Sequence, residues 1–352
     1  MIERVCHIGP AFYVQGGISS VLSSYKKLFH LPEENFIASY RGSFIRSVPL
    51  LFRVCIRLLI CPSKKFAYYQ IHTSSYGSFF RKYLISLCLR LRSKEYMAHI
   101  HGSAFQTFCL KSPFWIRAFI KSYLRHSAMI ICITPDMQMF MEKYLGKKHP
   151  LFSVIPNPCP SIAASPADLA EHSLPVKIVF SGRYGKRKGV YDLIRAFDSA
   201  RFSVPVQLFL FGDGEENSVR AAVARVSKAA SISVSPWLKN DAYLQRLPEF
   251  DFLVLPSYAE TFGMSLVEAM GFGLPVISTF SGGVPFVVEN GRSGFLVNAG
   301  DIDALQASLE KMVNDPVLRW QMGKSAWERA RDHFSSSNVL DLLEKSYSLL
   351  IK

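Results

Sequence analysis

The chain lacks an apolar run long enough to cross a bilayer, which takes about 20 residues. Its best stretch, LLFRVCIRLLI (50–60), is short and carries Arg53 and Arg57. It lacks a secretory leader pattern: MIERVCHIGP passes straight into a strand-like run. It lacks paired cysteines. The seven, at 6, 55, 61, 88, 109, 132 and 159, include no CxxC. An odd, unpatterned set argues against a disulfide or zinc framework and fits buried thiols in a reducing cytosol. The GxGxxG fingerprint of dinucleotide binding does not follow the first strand, and the one Asp-x-Asp, DID at 301–303, opens a helical pattern capped by Asp301. Most telling, the first half lacks acid. Residues 1–150 hold 21 Lys and Arg against 6 Asp and Glu, a net of +15, whereas residues 151–352 hold 20 against 21, a net of −1. A one-sided positive field points to an anionic surface or polymer: membrane lipid, a lipid pyrophosphate or nucleic acid.

What is present is a strand–helix alternation that occurs twice. A length of 352 residues, 49% of them hydrophobic, supports two cores. Strand-like runs are RVCHIG (4–9), FIASY (36–40), AYYQIH (67–72), YMAHIH (96–101), MIICIT (129–134) and FSVIP (152–156). After a Pro/Ser/Ala-rich stretch at 157–175 they resume: VKIVFSG (176–182), VQLFLFG (206–212), SISVS (231–235), FDFLVLP (250–256), LPVIST (274–279) and GFLVN (294–298). Short apolar strands separated by helical segments predict α/β architecture with doubly wound parallel sheets. The division expected is a first Rossmann-like domain at 1–160, a linker at 161–175, a second Rossmann-like domain at 176–334 and a terminal helix at 335–352 that packs back toward the first domain. Open parallel sheets take ligands beyond the carboxyl ends of their strands, so two such edges are expected to face a shared cleft.

Four turns carry candidate chemistry. GPAFYVQGGISS (9–20) sets Gly16 and Gly17 before a helix, either to let backbone amides approach a phosphate or as a plain strand-to-helix turn. FSGRYGKRKGVYDL (180–193) crowds Arg183, Lys186, Arg187 and Lys188 between glycines ahead of another helix, which suits an anion. FLFGDGEEN (209–217) is a further strand, GxG and helix start. PSYAETFGMSLVEAMGFGLPVIST (256–279) holds Glu260 and Glu268 around a helix start at 263–266. The plain reading of Glu268 is a capping box with Ser265, and of Glu260 a solvated acid. The alternative is a nucleotide-sugar site, with amides for a diphosphate and carboxylates for sugar hydroxyls.

These residues, with AMGFGLPVI, SGGVPFVVENGRSGFLV (281–297), SGRYGKRKG and VIPNP, resemble the retaining family-4 glycosyltransferases, which have the GT-B fold. The resemblance covers nearly all of the second domain and weakens over residues 30–95. It implies that Arg183 and Lys188 neutralise the diphosphate, that Glu268 binds the ribose and that Glu260 holds donor-sugar hydroxyls. It implies donor contacts for the amides of Phe262, Gly263, Met264 and Ser265 and for Gly16 and Gly17. His101, in MAHIHGS, matches the family's histidine at the end of the fourth strand, a donor-sugar contact. Three departures from the family pattern are Ser235 where a glycine is usual, Phe286 where a glutamate is frequent, and the compact spacing of GRYGKRKG.

The implied activity is transfer of a sugar from a nucleoside diphosphate, UDP or GDP, to an acceptor hydroxyl with α-linkage, using no metal and no cofactor. The implied setting is bacterial surface polysaccharide, lipopolysaccharide O-antigen or capsule, built on a lipid-linked acceptor at the cytoplasmic face of the membrane. Two alternatives stay open: another enzyme class using a two-domain cleft, such as a sugar-nucleotide epimerase or a phosphorylase, and a non-catalytic nucleic-acid binder using the basic half, though no recognised RNA or DNA motif appears. His72, His99 and His101 fall at strand ends, with His99 and His101 assigned to opposite faces of their strand. Arg117, Lys121 and Arg125 form one cationic helical stripe, and Arg53 and Arg57 repeat the spacing. With the net charge of the first half, these helices are expected to rest on anionic membrane rather than cross it.

Overall fold

Each run read as a strand forms one. The computed structural model describes residues 2–14, 16–60, 65–102, 104–146, 151–166 and 174–350. One six-stranded sheet holds β1 (Val5–Pro10), β2 (Phe36–Tyr40), β3 (Tyr68–Thr73), β4 (Tyr96–Ile100), β5 (Met129–Cys132) and β6 (Phe152–Val154). A second holds β7 (Val176–Ser181), β8 (Val206–Gly212), β9 (Ile232–Pro236), β10 (Phe252–Leu255), β11 (Val276–Thr279) and β12 (Gly294–Val297). Neighbouring strands pair in parallel throughout both sheets. Parallel neighbours need crossovers. In the first half the helices are α1 (Gly17–Leu28), α2 (Phe44–Ile60), α3 (Gly77–Leu91), α4 (Phe105–Lys111), α5 (Phe114–Arg125) and α6 (Pro135–Leu145). In the second they are α7 (Val190–Ser199), α8 (Glu216–Val223), α9 (Asn240–Arg246), α10 (Met264–Gly271), α11 (Val284–Val287), α12 (Ile302–Asn314), α13 (Pro316–Phe334) and α14 (Ser336–Ser348). Strands covered on both faces read as continuous apolar runs rather than alternating ones. β4 and β5 accordingly bury every residue.

The chain divides into unit 1, Met1–Pro158 with Ser336–Lys352, and unit 2, Cys159–Ser335. α14 therefore packs with the first half. Its Val339, Leu343 and Tyr347 are buried, and the Tyr347 hydroxyl donates to Gln70 Oε1 on β3. The Ser346 and Ser153 hydroxyls meet at 2.6 Å. Part of the stretch that reads as a linker is bonded into unit 2. Cys159 N–H donates to Phe334 O at 2.7 Å, Ala163 N–H to Gly271 O at 2.8 Å, and the Trp327 indole to Ala163 O at 2.8 Å. Gly271 permits this, since a Cβ there would lie 2.7 Å from both Cys159 Sγ and Ser161 O. The remainder of that expectation, at 167–173, lies outside the described residues.

Strand order fixes where each sheet offers a site. Unit 2 runs β12-β11-β10-β7-β8-β9, so the winding reverses between β7 and β10. Unit 1 runs β2-β1-β3-β4-β5-β6, reversing between β1 and β3. At such a reversal the loops leaving the two strands part and open a crevice at their carboxyl ends.

Candidate functional site

The two loops at the unit 2 reversal are the two that carry the predicted charges. The loop after β7 passes Arg183, closes a single 3₁₀ turn over Lys186–Lys188 and enters α7 through Gly189, which has φ +70°. A Cβ on Gly189 would stand 2.0 Å from Pro256 O, so only glycine lets this loop lie against the end of β10. Tyr258 N–H then donates to Arg187 O at 2.9 Å, joining the two loops. The Lys188 ammonium pairs with the Glu260 carboxylate, both side chains largely enclosed. The second Glu260 oxygen accepts from Thr261 N–H at 3.0 Å, and Glu260 N–H donates to Ser281 Oγ at 3.0 Å. Gly282, with φ +54°, lies under the same residue: a Cβ would meet Glu260 O at 1.8 Å. Glu260 is thus a braced acid rather than a loosely solvated one. Arg183 is exposed and, among the described residues, forms no ion pair.

α10 corrects the capping-box reading. Its N-cap is Gly263, with φ +82° and no side-chain cap, so Ser265 and Glu268 do not close a box. Leu266 and Val267 N–H groups donate to Gly263 O at 2.9 and 3.2 Å. The amides of Met264 and Ser265 stand ahead of the helical ladder, a position that favours an anion. Phe262 presents only its backbone here, because its ring is buried against Phe286 and Phe334 at 6.4 and 5.5 Å between ring centres. Phe286, the departure from the family's glutamate, is therefore a packing residue. Glu268 is buried, and burial pushes its carboxyl up from 4.5 to about 7. Sequence reasoning missed Tyr184. Its hydroxyl lies 2.7 Å from both Leu210 O and Ser235 O and shares its one proton between them, tying the ends of β8 and β9 together beside Gly214. The signal was available, since Tyr184 is the one large apolar residue between Gly182 and Gly185.

Unit 1 places Gly16, Gly17 and His101 at the carboxyl edge of its sheet. Gly16, with φ +150°, caps α1; a Cβ on Gly16 or Gly17 would meet nothing within 4 Å, so this backbone is open to approach. His101 follows β4, its N–H bonded to Thr73 O at 2.9 Å. The assignment of His99 and His101 to opposite faces is wrong. Residues two apart on a strand share a face, and the two rings lie 4.0 Å apart between centres. His72 Nδ1 lies 2.9 Å from His101 Nε2, and His7 Nδ1 lies 3.2 Å from His72 Nε2. Gln70 Nε2 is 2.7 Å from His99 Nδ1. Burial holds all four imidazoles far below their ordinary pKa, His7 and His101 to about 3, with neighbouring imidazoles adding to the effect on His72 and His99. Lys82, another residue missed, is buried and drawn down to about 7, mainly by burial and then by Arg81. Its ammonium donates to Ser39 Oγ, which donates to Gly9 O at 2.9 Å.

Among the described residues, His72, His99 and His101 bring donor atoms within 4.8 Å of one another, the spacing of a metal triad. The ring geometry argues against that use. His72 Nδ1 and His101 Nε2 point at each other at 2.9 Å, whereas two nitrogens of a tetrahedral site must both point at the ion.

The helices of unit 1 expose apolar and basic residues together. α2 presents Phe52, Ile56 and Ile60 beside Arg53 and Arg57. α5 presents Phe114, Trp115 and Phe119 beside Arg117 and Arg125. α3, which packs on both, adds Leu84 and Leu91. The cationic stripe of α5 is interrupted, as Lys121 lies over the Tyr144 ring at 5.3 Å. No helix among the described residues is long and apolar enough to cross a membrane.

Residues 162–329 match the family model of glycosyl transferases group 1. The N-acetyl-α-D-glucosaminyl L-malate synthase of Bacillus anthracis is 30% identical over 172 residues, 48% of this chain and 44% of that one. The lipopolysaccharide core biosynthesis glycosyltransferase LpsE of Rhizobium meliloti is 29% identical over 224 residues, 62% of this chain and 64% of its own. The chain thus spans about half the length of the first relative and under two thirds of the second. In structure it is similar to HepE of Anabaena, solved in complex with UDP-glucose, with TM-score 0.75 and 17% identity over 98% of this chain and 99% of that one. The likeness is one of fold, and the two α/β units are those of GT-B.

Proposed function

From the match of residues 162–329 to the glycosyl transferases group 1 model, we propose that the protein is a retaining glycosyltransferase of family 4. It takes a nucleoside-diphosphate sugar, needs no metal or cofactor, and forms an α-linkage to an acceptor hydroxyl. The observation that supports this reading is that the loops leaving β7 and β10, neighbours at the unit 2 reversal, carry Arg183, the Lys188–Glu260 pair, the free amides at the start of α10 and, within α10, the buried Glu268. As the glycosidic bond breaks, negative charge grows on the departing diphosphate. Cations and fixed amides aimed at that charge lower the barrier without reorganising. Glu260 is assigned to the sugar hydroxyls and Glu268 to the ribose. Gly16, Gly17 and His101 of unit 1 are assigned to the donor as well.

Relatives named for capsule and lipopolysaccharide core biosynthesis support a bacterial surface glycan as the product. The mixed apolar and basic surface of α2, α3 and α5 supports an acceptor carried on lipid, with unit 1 resting on the cytoplasmic face of an anionic membrane.

The test is a melting-temperature panel of UDP, GDP, ADP and their sugar conjugates in the presence of a chelator. One nucleotide family is expected to raise the melting point in step with its affinity. Arg183→Ala is the informative variant. Arg183 is exposed and breaks no ion pair when removed, so the melting point of the free protein should hold while the nucleotide-induced shift falls. Lys188→Ala is less clean because it leaves Glu260 without its partner. A panel in which no nucleotide raises the melting point would overturn the assignment.

A further inference from the structure

Outside the donor site, the least expected feature is a row of buried imidazoles in unit 1. His7 on β1, His72 on β3 and His101 after β4 are joined nitrogen to nitrogen at 3.2 and 2.9 Å. Their ring centres are 5.4 and 5.0 Å apart, longer than the nitrogen contacts by about the width of one ring, so each contact is nearly head-on. This is a hydrogen-bonded file, not a converging set of ligands.

The file has a direction. Neutral imidazole carries one N–H, so each link must have one donor and one acceptor, and the choice at one ring dictates the next. The inner end decides it. His7 Nε2 is buried with no hydrogen-bond partner among the described residues. An N–H there would be an orphaned buried donor, which proteins avoid more strictly than an unused acceptor. His7 therefore carries its proton on Nδ1 and donates to His72 Nε2. His72 is left with Nδ1–H and donates to His101 Nε2. His101 must then carry its own proton on Nδ1.

We propose that His7 and His72 lock His101 in the Nδ1–H tautomer, so that His101 meets the donor sugar as a fixed hydrogen-bond donor through Nδ1. This rests on the reading of His101 as a donor contact. His72 and His7 are positioning residues: they act through His101. The rings packed against the file keep it dry and neutral. Tyr25 presents its edge to His7 and His72 at 5.4 and 5.9 Å, Phe36 stacks on His7 at 5.3 Å, and His99 lies 4.9 Å from His72. The charged group whose field reaches His72, Lys82, has the same sign as a second proton and so opposes it. Because the file ends blind at His7, it fixes a tautomer and does not conduct protons to water.

The experiment is long-range proton–nitrogen correlation on full-length protein labelled with ¹⁵N in histidine, at neutral pH and without donor. His101→Gln identifies the His101 signals by their loss. The expected result is Nδ1 protonated and Nε2 bare at His101. Substituting His72→Phe should release His101 to the Nε2–H form or a mixture. His72→Asn, whose amide still offers a donor toward His101, should hold the lock. Turnover should follow the tautomer: a fall in kcat of about 10-fold in His72→Phe with acceptor KM little changed, and recovery in His72→Asn. Nε2–H at His101 in the unsubstituted protein overturns the proposal, and needs no variant to fold. Nδ1–H at His101 together with unimpaired turnover in His101→Gln leaves the lock standing and removes its role toward the donor.

Discussion

Glu268 is a carboxyl that the fold holds at a cost. It lies within α10, buried, where its charge is poorly solvated, and its pKa rises from 4.5 to about 7. The folded state therefore holds an extra proton between those two values. Stability from this group is complete below 4.5 and is lost as pH rises through about 7. A shift of that size corresponds to about 3 kcal/mol at pH 8. Glu268→Gln removes the ionisable group and keeps the shape. Urea unfolding should find the variant and parent similar at pH 5, and the variant more stable at pH 8 by up to that amount. Nucleotide binding should move the other way, because an amide accepts fewer hydroxyls than a carboxylate. Equal stability at pH 8 would show that burial does not strain the charge. The sequence made both glutamates visible through their spacing, but not their environments. Glu260 becomes a braced ion-pair partner only because Gly189 and Gly282 admit close backbone contacts from elsewhere in the chain. The imidazole file was hidden for the same reason: positions 7, 72 and 101 meet only when β1, β3 and β4 pair in register.

Strands and helices were more legible than side-chain partners, and the reason is physical. A strand buried on both faces needs an unbroken apolar run, and such runs are short-range information. FIASY and VQLFLFG become β2 and β8 without change of boundary. The helix start at 263–266 was legible too, but its cap was not. Ser-x-x-Glu suggested one, and Gly263 supplied another by adopting a left-handed conformation. The surface helices yield a prediction of their own. α2 and α5 carry apolar residues on water-facing positions, with Phe114 and Ile60 at 79% and 75% exposure, far beyond what packing needs. Flanking arginines would meet lipid phosphate while these side chains enter the interface. Flotation with vesicles containing anionic lipid should recover the protein at low salt, and recovery should fall at high salt as screening grows. Ile56→Glu with Phe114→Glu should abolish it at any salt while leaving the nucleotide-induced melting shift intact. Equal recovery with neutral vesicles would remove the electrostatic part of the reading.

The distribution of charge and the path of the chain both set unit 1 apart. It accounts for the whole of the net charge: residues 1–150 hold +15, against +14 for the full chain. It is also built from two separate stretches, because α14 returns to it after unit 2 is complete. That return closes the unit. Val339, Leu343 and Tyr347 are fully buried, Tyr347 reaches Gln70, and Gln70 in turn bonds His99. The Tyr68 hydroxyl donates to Leu350 O at 2.8 Å, adding a second tie. Each buried side chain of this kind is worth about 1.5–3 kcal/mol, so three of them approach the whole stability of an ordinary domain, about 5–15 kcal/mol. A chain ended after Ser335 should therefore lose unit 1 while keeping unit 2. Hydrogen exchange should show early loss of protection across β3 and β4, with β7 and β10 unaffected. Nucleotide binding offers an independent readout. On the proposed function, the loops after β7 and β10 keep their internal bonds in the shortened chain, which should still respond to nucleotide. Full protection of β3 and β4 without α14 would mean that residues 1–158 hold their own core, and that the buried Tyr347 contributes packing rather than closure.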